Sequence, residues 1–235
     1  MSRRTENSWA YSRERGEMGV EYARWQGDSA DALGLHFHDE DQLTLVLRGS
    51  RLFQVSSDVV HVKAGQCLYI PRGWPHRSLP HCDPGTQCLN AYLPVASGAR
   101  DPVVLDVADE DGYVGPQALL ACIAGQLSSV DPLQPAHNAV ALPDLQDVRG
   151  CIGEIASRHG VSREAFTRQF SRRIGMPPHA FRIVCRLNHA RRRIRSGESL
   201  AGLAAELGFA DQSHFGRHFR RIFGVTPHAY REAMR

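Results

Sequence analysis

The sequence predicts an α+β protein in which a small β-barrel or sandwich is followed by an all-α half containing two helix-turn-helix units. Three observations carry that expectation: short β-prone runs crowd the first hundred residues, a segment near the carboxyl end occurs twice, and charge divides the chain at the same place. Residues 1–143 hold 11 basic and 17 acidic side chains, net −6, whereas residues 144–235 hold 17 basic and 8 acidic, net +9. A basic half joined to an acidic half is the pattern of a nucleic-acid-binding module attached to something else.

The β-prone runs are 20–25, 42–47, 51–55, 59–62, 67–70 and 88–95, separated by Arg-Gly-Ser, Ser-Ser-Asp, Ala-Gly and Pro-Arg-Gly turns. Branched and aromatic residues favour a pleated, half-buried surface, and the turn residues punctuate it. Runs this short and this close suit a barrel or sandwich. At 235 residues the chain has room for two ordinary domains. Its opening, MSRRTENSWAYSRERGEMG, is polar, so residues 1–16 are expected to be mobile and no signal peptide is expected. No run approaches the length of a membrane span, and Cys67, Cys82, Cys88, Cys122, Cys151 and Cys185 form no CxxC pair. Both features point to a soluble cytoplasmic protein with reduced thiols.

Residues 166–182 (FTRQFSRRIGMPPHAFR) recur 49 positions later as 215–231 (FGRHFRRIFGVTPHAYR). Upstream of the first copy, Ile152, Ile155, Ala156 and Gly160 describe a short helix closed by a glycine able to take the positive φ of a tight turn. Leu200, Leu203, Ala204 and Gly208 repeat the pattern. Ser162 and Asp211 are the expected N-caps of the helices that follow. The second turn is one residue longer, so the two units are not expected to read the same bases. Phe166 and Phe170, like Phe215 and Phe219, are spaced i, i+4 and face inward. Arg163, Glu164, Thr167 and Arg168 of the first unit then lie outward, as do Gln212, Ser213, His214, Gly216 and Arg217 of the second, where they suit base-edge hydrogen bonds. Arg172, Arg173, Arg220 and Arg221 follow one turn later as phosphate ligands. Any single arginine is equally at home on a solvated face, but two registered copies favour DNA.

From about residue 152 to residue 231 the chain resembles the DNA-binding domain of the AraC/XylS family of bacterial transcription regulators. The resemblance is carried by GFADQSHFGRHFRRIFGVTPHAYR at 208–231, by its partner at 160–182 and by RIVCRLNHARRRIRSGESL at 182–200. It implies two helix-turn-helix units held by one linking helix, with both recognition helices entering adjacent major-groove segments on one face of the duplex. Ile183, Leu187, Ala190 and Ile194 make an apolar stripe at helical spacing for that connector, with Arg186, Arg191, Arg192, Arg193 and Arg195 around it and Gly197 ending it.

The amino-terminal half, about 17–95, resembles the cupin barrel, as the ligand-sensing domain of AraC-type regulators often does. His36 and His38 open one motif, and the run from Gly65 through Pro71, Gly73 and Trp74 to His76 closes the other. In metal-binding cupins two histidines of the first motif and one of the second converge on a divalent ion together with a glutamate. His36, His38 and His76 match, while Gln42 stands in the glutamate's place. Three imidazoles alone can hold a zinc-like ion with water in the fourth position; the alternative is that the same rings line an organic-ligand pocket or satisfy hydrogen bonds. Arg51, Tyr69, Trp74 and Tyr92, with His76, are candidates for effector contact inside the barrel, the alternative for the aromatics being rim or core positions.

Residues 116–130 place Leu119, Leu120, Ile123 and Leu127 on one helical face, either to dimerise the chain or to pack on the barrel, and 131–143 read as linker. The expected organisation is a mobile segment 1–16, a cupin-like sensor barrel 17–100, a helix and linker 101–143 and a double helix-turn-helix domain 144–235. The expected function is sequence-specific binding of promoter DNA under control of a small molecule or metal, with RNA polymerase and a second copy of the chain as further partners and no catalysis. A metal-dependent cupin enzyme with an accessory DNA-binding domain is the rival, and Gln42 at the glutamate position weighs against it.

Overall fold

A computed structural model describes residues 7–14, 19–29, 33–94, 101–107, 125, 151–200 and 202–235. The chain divides into two compact units, one of residues 1–32 with 38–136 and one of residues 33–37 with 137–235. The expected helix 116–130 and linker 131–143 lie outside the described residues, Gly125 apart.

The first unit contains β1 (Ser8–Arg13), β2 (Glu21–Gly27), β3 (Asp41–Arg48), β4 (Ser50–Val55), β5 (Asp58–Lys63), β6 (Gln66–Ile70), β7 (His76–Cys82), β8 (Thr86–Leu93) and β9 (Val103–Asp106). They form a six-stranded sheet, ordered β1-β2-β8-β3-β6-β9, and a three-stranded sheet, ordered β5-β4-β7. Side chains alternate across a strand, so each sheet sorts its residues onto two faces. Trp25, Val46, Leu68, Ile70 and Cys88 of the large sheet meet Phe53, Val55 and Val62 of the small one in the interior. Leu43, Leu45, Cys67, Tyr69, Ala91 and Leu105 pack as a second cluster on the other face of the large sheet. Strand β3 is buried on both faces along most of its length. One expectation is corrected: residues 8–13 are a paired edge strand, in register from Ser8 opposite Gln26 to Arg13 opposite Glu21. Trp9 and Tyr11 hold it, the second of them buried.

The second unit contains α1 (Ile152–Arg158), α2 (Arg163–Ile174), α3 (Pro178–Arg195), α4 (Leu203–Glu206), α5 (Gln212–Phe223) and α6 (Pro227–Ala233). The expected caps are in place: Ser162 Oγ accepts from Ala165 N at 3.1 Å, and Asp211 Oδ1 accepts from His214 N at 2.6 Å. Gly160 and Gly208 take φ of 68° and 73°, the left-handed conformation that lets each first helix turn sharply into the next. Phe166, Phe170, Ile155, Ile174 and Val184 form the core of the first helix-turn-helix. Phe215, Phe219, Phe223 and Tyr230 are buried together in the second.

Helix α3 departs from its expected stripe in two ways. Val184, rather than Ile183, is buried with Pro178 in its first half. Arg191, expected at the surface, is 1 % exposed and stacks over Phe223 and Tyr230, with Nε 3.4 Å from the Tyr230 hydroxyl. A guanidinium tolerates such a place because its flat face packs on rings while its edge donates.

The unit also takes in Leu33–Phe37, a segment that sequence reasoning assigned to the barrel. The ring of Phe37 stacks on Phe181 at 4.8 Å inside the first helix-turn-helix core, and the buried Asn188 Nδ2 donates to Phe37 O at 2.9 Å. Phe37→Ala is therefore expected to cost this unit about 3–5 kcal/mol, as truncation of a buried phenylalanine does. Chemical denaturation followed by helical circular dichroism reads the change; a stability equal to that of the parent chain would show the ring to be dispensable.

Candidate nucleic-acid interface and barrel interior

Burial of the paired phenylalanines fixes which side of each recognition helix faces out. On α2, Arg163, Glu164, Arg168 and Arg172 are exposed, while Thr167 is half-buried with its hydroxyl donating to Arg163 O at 2.8 Å. On α5, Gln212, Ser213, Arg217, Arg220 and Arg221 are exposed. His214 is half-buried: its Nδ1 accepts from Ala210 N at 3.4 Å and its Nε2 lies 2.9 Å from His218 Nε2. Burial, then the neighbours His214, Arg221, His179 and Arg217, push the His218 pKa down, which favours the neutral form of that ring. His214 thus braces its helix as well as facing outward. Sequence reasoning did not single out His218, although its i, i+4 spacing from His214 was there to read.

Arg168 and Arg217 occupy equivalent exposed positions, and among the described residues neither makes an ion pair. A methyl group at Gly216, beside Arg217, would meet nothing within 4 Å, so that face is open to close approach. Both helix-turn-helix units are tied to one connector: Val184 of α3 packs in the first core, while Arg186 Nη1 donates to Gly208 O at 2.9 Å and Arg193 bridges Glu198 and Glu206, the latter at 2.7 Å, in the second.

In the barrel, antiparallel register arranges the interior side chains in rows. Glu21, Tyr92, Gln42 and Ile70 stand opposite one another on the large sheet, then Ala23, Asn90, Thr44 and Leu68, then Trp25, Cys88 and Val46. On the small sheet Val55 pairs with His76, Phe53 with Ser78, and Arg51 with Cys82. The interior therefore has an imidazole end and a guanidinium end.

At the imidazole end, His36, His38 and His76 are buried and each offers one ligand atom, all within 4.8 Å of one another. The His38 ring lies 5.3 Å from that of His76 and 4.7 Å from Tyr92. His36 Nδ1 is 2.7 Å from Gly34 O and His76 Nδ1 is 2.8 Å from Trp74 O. On neutral rings those two N–H groups donate to the carbonyls and leave Nε2 with its lone pair, the arrangement that orients a histidine as a metal ligand. Gln42 Oε1 lies 3.0 Å from His76 Nε2, and the same amide reaches Thr44 Oγ1 at 2.8 Å. Two oxygens beside one imidazole suit its cation, but burial is the larger effect and pushes the His76 pKa down to about 4. A neutral ring is accommodated by a half-turn of the Gln42 amide that presents its NH2 to Nε2.

At the other end Arg51 is 2 % exposed, its guanidinium carbon 4.1 Å from the centre of the Trp25 ring and 5.7 Å from that of Phe53. Trp74 is half-buried against the interior cluster. Tyr69 corrects the expected effector set: it sits in the cluster on the opposite face of the large sheet, with its hydroxyl donating to Asp41 Oδ2 at 3.1 Å. A one-residue step along β6 decides this, since Leu68 and Ile70 point to the interior.

Residues 155–233 match a helix-turn-helix domain model, and residues 27–79 match a cupin domain model. Comparison with curated protein sequences found no relative. Among solved structures the chain resembles ToxT from Vibrio cholerae O395, at 10 % identity and TM-score 0.58, covering 92 % of this chain and 98 % of ToxT. It also resembles unsaturated fatty acid bound wild-type ToxT from Vibrio cholerae strain SCE256, at 12 % identity and TM-score 0.54, covering 98 % and 97 % of the two chains. At these identities the likeness is one of fold. The matches place a cupin domain in the amino-terminal half and a helix-turn-helix domain in the carboxyl-terminal half. The duplicated helix-turn-helix is the part of the chain that resembles the AraC/XylS regulators. No helix among the described residues is long and apolar enough to cross a membrane.

Because the folded pKa of His76 lies below its unfolded value, the unfolded chain takes up the proton first. In protein stripped of divalent ions, the contribution of His76 to stability should be complete above about pH 6.5 and lost as pH falls toward 4, roughly 3 kcal/mol in all. Urea unfolding across that range measures it, and a His76→Gln chain with an undiminished acid slope would assign the loss to other groups.

Proposed function

We propose that the protein binds promoter DNA through α2 and α5 and that a small molecule held in the barrel controls this binding. The observation that carries the DNA reading is the pair of capped recognition helices, each backed by buried phenylalanines and each presenting an exposed arginine at the same position. Ligand-bound structures of ToxT support small-molecule control. RNA polymerase and a second copy of the chain are the further partners this reading carries; a dimerising role for Leu119, Ile123 and Leu127 falls outside the described residues. Gln42 at the glutamate position supports regulation rather than catalysis. Ligand control has a route along the chain, since His36 and His38 flank Phe37, which is anchored in the first helix-turn-helix.

Arg168→Ala and Arg217→Ala should each cost about 1–3 kcal/mol at the cognate site and relax preference at one base position. Those positions should lie about 10 base pairs apart. Arg172→Ala and Arg221→Ala should weaken binding to all sequences alike and reduce its salt dependence. Binding isotherms on randomised duplexes decide: Arg217→Ala protein with full sequence preference and only a smaller salt slope would make Arg217 a backbone contact.

For the imidazole end we read His36, His38 and His76 as the ligand set of a zinc-like divalent ion. Neutral nitrogen donors held by carbonyl groups suit such an ion, which would supply a Lewis-acidic anchor for an effector. Metal analysis of protein purified without chelator should find about one ion per chain, absent from His38→Ala, by the stoichiometry of one three-histidine site. Equal metal content in both proteins would leave the rings as polar lining only.

A further inference from the structure

Arg51 sets a chemical requirement at the far end of the barrel interior. Its side chain is buried, and among the described residues no carboxylate pairs with it and no oxygen accepts from it. Its immediate neighbours are the ring faces of Trp25 and Phe53 and the sulfur atoms of Cys88, which is within hydrogen-bonding reach, and of Cys82, its partner across the sheet. The Cys88 thiol supplies no counter-charge, because burial pushes its pKa up to about 11. A guanidinium remains protonated in such a place, and an isolated buried charge is retained only at a large desolvation cost. One row along, Asn90 is 5 % exposed and its Oδ1 likewise has no hydrogen-bond partner. Two buried polar groups in adjacent interior rows, both with unused hydrogen-bonding capacity, mark one ligand position.

We propose that the barrel interior binds an organic monoanion, a carboxylic acid whose carboxylate pairs with Arg51, whose apolar or aromatic body lies along Trp25 and Phe53, and whose polar substituent meets Asn90. This rests on the barrel being the effector site and gives that effector its class. The guanidinium edge matches a carboxylate in two parallel hydrogen bonds, while its face is taken by the Trp25 ring. A single cation in this row favours one negative charge over the two of a phosphate monoester, whose second charge would be buried uncompensated. Arg51 and the His76 row are four residues apart along β4, about 13 Å at the usual strand rise, so the acid group and the imidazole end are separate recognition points.

The test uses the full-length chain and matched probe pairs, 4-phenylbutyrate with 4-phenylbutyramide and octanoate with octanamide. Affinities are read from the fluorescence of the tryptophans and from thermal melting. In the parent protein each acid should bind at least tenfold more tightly than its amide, and in Arg51→Met protein the ratio should fall to about one. Arg51→Met should also melt no lower than the parent without ligand, because it removes an uncompensated buried charge; Arg51→Lys, which keeps the charge but not the fork, should retain a reduced preference. Acid and amide binding alike in the parent, no binding of any probe, or a ratio unchanged in Arg51→Met would each overturn the proposal. Duplex binding of the ligand-free parent and Arg51→Met proteins is measured alongside: its loss in the parent counts against the regulator reading, and its persistence isolates a failure to the acid site.

Discussion

Helix α3 is the constraint on which the DNA-binding unit depends. At 18 residues it is about 27 Å long, comparable with one turn of B-form DNA, so a rigid α3 spaces two recognition elements on the scale of successive major-groove segments. Its rigidity has identifiable sources. Val184 joins the first helix-turn-helix core, Arg191 fills the second between Phe223 and Tyr230, and Arg186 and Arg193 hold the turn and helix of the second unit from outside. Surface ion pairs such as Arg193 with Glu198 and Glu206 contribute little by themselves. The buried contacts dominate, and the ion pairs select one seating among the few that burial permits.

The same unit draws five residues from the amino-terminal half. Phe37 fills the first helix-turn-helix core, and Gly34 N donates to Arg221 O at 3.0 Å at the carboxyl end of α5. A side chain at Gly34 would come within 3.0 Å of Ile222 Cδ1. One short segment therefore touches both helix-turn-helix units, and it is continuous with His38.

Much of this was legible in the sequence. The repeat located both recognition helices, and the caps Ser162 and Asp211 and the glycines at the two tight turns follow from rules local to a few residues. Six strands were legible from β-prone runs between turn residues. Strand β7 was not, because Pro80, His81 and Arg77 mask a pattern in which only alternate residues, His76 and Ser78, face inward. Edge strands β1 and β9 are short or polar and owe their existence to a neighbour. The placement of Tyr69 depended on register, which periodicity alone leaves ambiguous by one residue. The burial of Arg191 and the capture of Phe37 are tertiary facts: nothing within their own segments distinguishes them from a surface arginine or a barrel phenylalanine. The three histidines were recognisable as a set because the motif spacing identifies them together.

Two buried arginines in this chain show how the same side chain serves stability in one place and recognition in another. Arg191 is enclosed by rings and has the Tyr230 hydroxyl at the edge of its guanidinium, so its polar group is engaged within the fold. Arg51 is enclosed by rings to a similar degree, yet its neighbours are apolar faces and a neutral thiol. Replacing a buried charge by an apolar residue of similar volume is often neutral or stabilising, so selection for stability alone does not explain an arginine in the second setting. The energetic logic then runs through the bound state. A cation kept partly unsatisfied in a buried, aromatic-walled interior interacts more strongly with an arriving anion than a solvated one does, because the desolvation cost was met when the barrel folded. The barrel gives up some stability in the empty state and gains discrimination in the filled one, which is the property a sensor requires.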